Sequence, residues 1–300
     1  MYLKYLELLK SKEIKYREQL SLAAYSTFSI GGPAKVAVFP ESSEELSFSI
    51  TSARELGIKH VIIGNGSNLL FADEGFDGAV IFTTGCKRIE INGNIIFAEC
   101  GASFTRLASF AARHSLTGLE FAYGIPGTVG GAVYMNAGAY GGQVSDVLLS
   151  SVCFNSKENT VKTLSASEHE FDYRTSIYDK QKSLTVLGAN FKLEDGNGSE
   201  INAKMNELMT KRRDKQPLEF PNAGSTFKRP EGHFAGKLIE DSGLKGYTVG
   251  GAQVSEKHAG FVINRGGATA RDVLELIEHI KVTVFRDFGV MLECEIKYIY

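Results

Sequence analysis

Glycine clusters, one arginine, one glutamate and one serine are the residues whose type and spacing could do chemistry in this chain. Gly64-Asn65-Gly66-Ser67-Asn68-Leu69-Leu70 follows the apolar run Val61-Ile62-Ile63. A second cluster extends from Gly124-Ile125-Pro126-Gly127 through Gly130-Gly131 and Asn136-Ala137-Gly138 to Gly142, and shorter ones sit at Gly31-Gly32 and Gly250-Gly251. Loops of small residues let backbone N–H groups point at phosphate oxygens with no side chain in the way. The first cluster reads equally as a phosphate nest or as an ordinary tight turn. The second is too long for a turn and has to pack against something flat or branching. A cofactor with phosphates and an apolar ring system, such as a flavin dinucleotide, accounts for it, and so does close packing of backbone segments. Neither the G-x-G-x-x-G fingerprint nor G-x-x-x-x-G-K-[ST] is present, so a Rossmann or P-loop site is not the reading.

Arg174, in Phe171-Asp172-Tyr173-Arg174-Thr175-Ser176, has a planar fork that can hold a carboxylate through two hydrogen bonds, or it can pair with Asp172 at the surface. Arg212, Arg213 and Lys215 close a helix before Gln216-Pro217, where cations suit the helix dipole whatever else they do. Period-two alternation from Leu292 to Lys297 puts Glu295 on one face with Glu293 and Lys297, which by itself reads as a solvated face. Ser225 follows Gly224 in a loop bounded by Pro221. Serine is a poor acid unaided, and a turn hydrogen bond is its simpler role. Lys228 lies three residues on.

The frame that must position these residues is that of an ordinary globular chain of 300 residues, long enough for about two domains. With 33 basic and 35 acidic residues the net charge of −2 supplies no global field for nucleic acid or an anionic membrane. No apolar run reaches the roughly 18 residues of a membrane span, and no signal peptide is visible. The cysteines at 86, 100, 153 and 294 form neither a metal-ligand pair nor a disulfide framework, so they read as scattered buried thiols of a cytoplasmic protein without a metal.

Secondary-structure signals organise the chain as follows. A small helical lead-in runs to about Leu22. From about Thr27 to Leu193 short β-branched runs alternate with helices: a strand at Val36–Phe39, a helix after Ser42 with a Ser42–Glu45 capping box, strands at His60–Ile63 and Ala79–Phe82, and a hairpin around Asn92-Gly93. A helix carries Phe104, Leu107, Ala108, Ala111 and Ala112 on one stripe, and strands at Val147–Phe154 and Leu184–Leu193 follow. The polar stretch 194–199 is the best boundary. Beyond it come a helix with Ile201, Met205 and Leu208, a short helix near Leu238, strands near Val254 and Val262, a strongly periodic helix from Thr269, and a last strand.

Several motifs in the same order make the chain resemble the UDP-N-acetylenolpyruvoylglucosamine reductase family along nearly its whole length. They are Thr27-Phe28-Ser29-Ile30-Gly31-Gly32-Pro33-Ala34, the 64–70 and 124–142 glycine segments, Tyr173-Arg174, Lys215-Gln216-Pro217, Ala223-Gly224-Ser225-Thr226-Phe227-Lys228, and Glu295. The resemblance implies an α+β protein: an FAD-binding domain of the vanillyl-alcohol-oxidase (PCMH) type plus a smaller α+β C-terminal substrate domain. The ranges expected are a lead-in over 1–26, the FAD domain over 27–193 and the substrate domain over 199–300. It implies reduction of UDP-N-acetylglucosamine enolpyruvate by NADPH through FAD, in peptidoglycan precursor synthesis.

The same resemblance implies the residue roles. Thr27, Gly31, Gly32, Gly64, Asn65, Gly66, Ser67, Asn68, Gly124, Ile125, Pro126, Gly127, Gly130, Gly131, Asn136, Ala137 and Gly138 would hold the cofactor. Arg174 would stabilise the substrate carboxylate, Ser225 would give the proton, and Glu295 would assist it. Lys215, Arg212 and Lys228 would contact the substrate, with the diphosphate nearest Lys215. The family's usual proline before the glutamate is Cys294 here. The spacing from Lys228 through Gly250-Gly251 to Ala268-Thr269-Ala270 resembles the shorter of two subtypes, without a tyrosine loop over the substrate. An FAD oxidase with a covalent flavin and a non-catalytic nucleotide-sugar sensor are the competing readings. No histidine lies between Gly64 and Gly101 to carry the flavin, and a sensor has no need of a proton donor.

Overall fold

The computed structural model describes all 300 residues, with two compact units each assembled from separate stretches of chain. The first comprises Met1–Glu18, Val36–Asn65 and Gly78–Lys211, the second Gln19–Lys35, Gly66–Asp77 and Arg212–Tyr300. The class is α+β, as expected, but the division differs from a single boundary near 194–199. The chain visits the second unit at 19–35 and 66–77, and the helix Gly198–Lys215 stays with the first unit as far as Lys211. Polar composition marks a boundary only where the chain crosses in a loop. Here four of the five crossings fall inside the strands Lys15–Ser21, Pro33–Phe39 and Phe76–Phe82 and inside that helix, which carry no such punctuation; the fifth, at Asn65–Gly66, falls in the glycine-rich loop.

The lead-in also divides. Tyr2–Ser11 is helical, but Glu13 takes a left-handed conformation (φ 57°) and Lys15–Ser21 is a strand. The N–H of Ile14 closes the helix on the Leu9 carbonyl at 3.0 Å, and Ile14 is buried. The alternation that follows it, not the leucine spacing before it, decides the next element.

The first unit is built on a five-stranded antiparallel sheet in the order Thr160–Ser165, Leu148–Asn155, Leu184–Lys192, Ile95–Glu99, Ile89–Asn92. Asn92 pairs with Ile95, so the two hairpin residues are Gly93 and Asn94, one step beyond the expected pair, with Gly93 at φ 58°. The helix Phe104–Arg113 starts where the Ser103 hydroxyl accepts from the Arg106 N–H, and its five apolar stripe residues are all buried. In the helix Ser43–Glu55 the Ser42 hydroxyl accepts from the Glu45 N–H, while the Glu45 carboxylate reaches the N–H of Glu41 at 2.8 Å rather than that of Ser42.

The second unit carries a three-stranded antiparallel sheet, Thr248–Val249, Ala252–Val254 and Val262–Asn264, and the helix Ala270–Phe288. Thr269 and Asp272 form a capping box at the start of that helix, and Gly289 ends it at φ 67°. Asp73, almost 200 residues earlier, accepts from the N–H groups of Ala270 and Arg271 at 2.8 and 3.1 Å. The strand Leu69–Phe71 pairs in parallel with Lys297–Ile299. No helix is long and apolar enough to cross a membrane.

One buried polar chain in the first unit gives a measurable pH dependence. The ring of His169, fully buried, bonds the Ser165 carbonyl through Nδ1 at 2.8 Å and the Ser151 hydroxyl through Nε2 at 2.7 Å, and that hydroxyl meets the Tyr178 hydroxyl at 2.5 Å. Read in one direction, Tyr178 donates to Ser151, Ser151 to Nε2, and Nδ1–H to Ser165, which requires a neutral ring. Burial pushes the imidazole below its ordinary 6.5. Below about pH 6.5 the unfolded chain therefore binds a proton that the folded chain refuses, so stability falls on acidification. His169→Asn is expected to flatten the stability-versus-pH slope between about pH 6.5 and 5.5, by up to ~1.4 kcal/mol per pH unit, in urea unfolding against the parent.

Candidate active site

In the first unit the two glycine-rich loops touch. An added Cβ at Gly64 would lie 2.3 Å from Thr128 Oγ1, and the Asn65 side-chain amide donates to the Pro126 carbonyl at 2.8 Å. The N–H groups of Gly64, Asn65, Gly127 and Thr128 donate to no acceptor in the chain, although Thr128 is only 1% exposed. Buried N–H groups are ordinarily paired, so these donors on touching loops have the chemistry of an anion cradle.

The helix that follows, Val129–Tyr134, lies inside the glycine run and was not legible as a helix because two of its residues are glycine. Its first donors are already spent: Val129 N–H on the Ala102 carbonyl at 2.8 Å, Gly130 N–H on the Cys100 carbonyl at 2.7 Å, and Gly131 N–H on the Thr128 hydroxyl at 3.3 Å. The loops, rather than the helix end, hold the open donors. Gly130 is fixed by packing, since a Cβ there would meet Cys100 Cβ at 2.9 Å; at Gly131 the nearest atom would be 3.6 Å away. Cys86 and Cys100 are fully buried, and a hydrogen bond to Cys86, followed by burial, holds the Cys100 thiol well above its usual range. Such a thiol is a poor nucleophile, which removes it as an anchor for a covalent flavin.

The far end of the run receives the Arg174 hairpin. Asp172 and Thr175 pair across a two-residue turn, with Arg174 at φ 56°. Arg174 Nη2 donates to the Gly138 carbonyl at 3.0 Å and its guanidinium lies over the Tyr173 ring at 5.0 Å. Asn136 is 2% exposed, and its amide is engaged within the chain: Oδ1 accepts from Ser145 N–H at 2.9 Å and Nδ2 reaches the Asp172 carbonyl at 3.3 Å. It ties the hairpin to the run. Gly124 takes φ 86° and donates to the Thr105 hydroxyl, whose own proton goes to the Ile125 carbonyl. Ala137 is buried.

The other expected cofactor residues lie in the second unit. Gly31 and Gly32 face their own chain: a Cβ would meet Phe71 Cβ at 2.7 Å and the Asp73 carbonyl at 2.2 Å, so close packing explains both. Gly66, at φ 62°, is held the same way against the Tyr25 carbonyl at 2.4 Å. Thr27 Oγ1 donates to the Asn222 carbonyl at 2.7 Å. The N–H groups of Ser67 and Asn68 find no acceptor in the chain, while the Asn68 side chain donates to the Glu295 carbonyl at 3.1 Å.

That contact leads to Ser225 and Glu295, the expected proton donor and its partner. Phe227 and Cys294 face each other across an antiparallel bridge, with Lys228 N–H bonded to the Glu293 carbonyl at 2.9 Å and Glu295 N–H to the Thr226 carbonyl at 2.8 Å. Ser225 and Glu295 thus come from adjoining paired backbones. Ser225 is exposed and its hydroxyl makes no hydrogen bond within the chain. The bridge uses the N–H groups of Lys228 and Glu295 and not that of Cys294, so cysteine in place of the implied proline costs the pairing nothing. Sequence reasoning missed Asn222 and Thr226, which shape this loop. Asn222 Oδ1 accepts from Gly224 N–H at 2.9 Å, and Thr226 Oγ1 accepts from Val262 N–H at 2.9 Å. An Asn two residues before a glycine was the available signal.

The cations differ in availability. Lys215 is exposed. Lys228 forms an ion pair with Glu293, which fixes the direction that sequence left open. Arg212 is 7% exposed, with Nη1 on Gln216 Oε1 at 3.3 Å, so it is part of the packing. His258 Nδ1 accepts from Gly260 N–H at 3.1 Å, and burial, with Lys245 and Lys215 nearby, keeps the ring below its ordinary pKa. Asn264 is a clamp: it donates to the Phe28 carbonyl and accepts from Gly266 and Ala268.

Residues 34–164 match the FAD binding domain family, and residues 216–299 match UDP-N-acetylenolpyruvoylglucosamine reductase, C-terminal domain. A protein named UDP-N-acetylenolpyruvoylglucosamine reductase from Caldanaerobacter subterraneus subsp. tengcongensis is 49% identical over 97% of this chain and 95% of its own length. One of the same name from Pediococcus pentosaceus is 47% identical over 96% and 95%. The chain belongs to the UDP-N-acetylenolpyruvoylglucosamine reductase family. The crystal structure of the reductase from Thermus caldophilus superposes with a TM-score of 0.82 at 33% identity, covering 96% of this chain and all of that one. Family membership agrees with the two-part α+β architecture, an FAD-binding domain of the vanillyl-alcohol-oxidase type followed by the family's own C-terminal domain.

The open N–H groups of the loops fit the diphosphate of FAD, and the fit depends on two loops meeting where one has no side chain. Gly64→Ala would push Thr128 away. The expected result is protein that folds but purifies with its flavin content reduced at least about tenfold, a loss of ~1.4 kcal/mol in cofactor binding, read from the visible flavin absorbance per protein.

Proposed function

We propose that the protein is an NADPH-dependent reductase of UDP-N-acetylglucosamine enolpyruvate, forming UDP-N-acetylmuramate for peptidoglycan. Bound FAD would supply the two-electron relay between NADPH and the enolpyruvyl double bond. The observation that carries the reading is an exposed Ser225 hydroxyl with no hydrogen bond in the chain, one residue before Thr226, whose carbonyl accepts from the Glu295 N–H at 2.8 Å.

Hydride addition to the double-bond carbon distal to the carboxylate drives negative charge onto that carboxylate, and the carbon that bears the carboxylate then needs a proton. Arg174 meets the first need with a permanently charged fork whose hairpin is held on Gly138. Ser225 meets the second by giving its hydroxyl proton to carbon, and Glu295 stabilises the serine and helps restore the proton. Lys215 is the cation for the substrate diphosphate, with Lys228 beside the same loop. Gly64, Asn65, Gly127 and Thr128 hold the cofactor phosphates. Arg212 contributes through packing.

Two substitutions separate these roles. Ser225→Ala should keep flavin reduction by NADPH and lose about 10²–10⁴-fold in the rate at which enolpyruvyl substrate reoxidises the flavin. Normal steady-state turnover in that variant would sink the proton-donor role. Arg174→Lys keeps the charge and loses the fork, so turnover should fall by about 10-fold or more with flavin content unchanged. Loss of flavin there would make Arg174 a cofactor residue. The reading as a whole is tested anaerobically. After reduction with NADPH and removal of excess reductant, addition of UDP-N-acetylglucosamine enolpyruvate should reoxidise the flavin and yield UDP-N-acetylmuramate. Reoxidation by oxygen alone would favour an oxidase.

A further inference from the structure

Phe234 is 61% exposed, and the Arg229 guanidinium lies over its ring at 4.0 Å. It is the most exposed of the chain's phenylalanines, so burial in the core is not what holds its ring in place. Its loop is ordered. His233 N–H donates to the Pro230 carbonyl at 3.1 Å across Gly232 at φ 70°, and Arg229 Nε reaches the His233 carbonyl at 3.4 Å. Phe234 then caps the helix Ala235–Asp241, its carbonyl accepting from Lys237 and Leu238.

The two ends of this loop lie against one residue. At its start, Thr226 N–H donates to the Gly260 carbonyl at 2.9 Å; at its end, an added Cβ on Gly236 would lie 3.3 Å from Gly260 N. Gly260 is itself held by His258 Nδ1, and Lys215 is close enough to His258 to bear on its charge. Thr226, next to Ser225, and Gly236, two residues past Phe234, therefore lie against the same residue, and Lys215 is within electrostatic reach of the histidine that holds it. A flat cation on an aromatic face is a platform for a planar heteroaromatic ring.

We propose that Arg229 and Phe234 form a stacking clip for the nucleobase of the nucleotide-sugar substrate, whose diphosphate would go to Lys215. This rests on the function proposed above and adds what would hold the base. The clip confers specificity through binding and takes no part in proton or hydride transfer.

With flavin-loaded enzyme, Phe234→Ala should raise KM for UDP-N-acetylglucosamine enolpyruvate about tenfold, with kcat, KM for NADPH and the anaerobic rate of flavin reduction unchanged. Phe234→Tyr should stay within about twofold of the parent, and Phe234→Leu, which keeps apolar bulk without a π face, should behave like alanine. Titration with UDP alone gives a readout independent of the reaction: its affinity should fall about tenfold in Phe234→Ala, while that of N-acetylglucosamine 1-phosphate, which has no base, should not change. An unchanged KM and unchanged UDP affinity in Phe234→Ala would overturn the clip, as would a rise confined to the KM for NADPH, or full activity of Phe234→Leu. If the parent binds UDP in a Phe234-dependent way yet is not reoxidised by the enolpyruvyl substrate, the clip stands and the proposed reaction falls.

Discussion

The absence of a side chain at Gly64 is the constraint on which the first unit's candidate cofactor loops depend. A single methyl there would lie 2.3 Å from Thr128 Oγ1, and Thr128 has two further duties. Its hydroxyl accepts from Gly131 N–H at the start of the Val129–Tyr134 helix, and its own N–H is left open. Moving Thr128 would therefore disturb a cap and an open donor together. Glycine is needed here because two backbones approach each other, and the open donors are a consequence of that approach. The bland and the functional explanations of the glycine run, close packing and cofactor binding, are in this place the same arrangement.

In the second unit the comparable organising feature is a ladder of hydrogen bonds, two between backbone groups and two from a side chain to the backbone. His258 holds Gly260, Gly260 holds Thr226, Thr226 holds Glu295, and Glu295 is held in turn by Asn68. No link depends on an exposed ion pair, so salt and side-chain entropy have little purchase on it. The residues that would do chemistry hang from this ladder, and Ser225 is left with its hydroxyl unspent because its neighbours on either side make the structural bonds.

Elements with a strong period were legible from sequence. The helix Ala270–Phe288 starts at Thr269 as expected, and its buried face is Val273, Leu276, Ile277, Ile280 and Val284. The strands Leu148–Asn155 and Leu184–Lys192 also fall where β-branched runs put them. What sequence hid was long-range. No local pattern reveals that Asp73 caps a helix beginning at Ala270, or that Gly31 and Gly32 face Phe71 and Asp73. Motif resemblance treated the glycines as one class. The geometry separates those whose N–H groups are spent, such as Gly32 and Gly130, from those whose N–H groups remain open, such as Gly64 and Gly127, and Gly64 is pressed against its own chain as well. The burial of Arg212 at a helix end likewise cannot be read from its charge.

The parallel pairing of Leu69–Phe71 with Lys297–Ile299 bears on how the chain acquires its structure during synthesis. At about 5–20 residues per second, the earlier strand leaves the ribosome roughly 10–45 s before its partner exists. For that interval the edge formed by Leu69–Phe71, with Leu70 and Phe71 destined for full burial, has no neighbour to complete it. The Asp73 carboxylate waits equally long for the helix it caps. The second unit is thus the last to be finished although two of its segments are made early, and the nascent protein has to keep an apolar strand from pairing with the wrong chain until its final residues arrive.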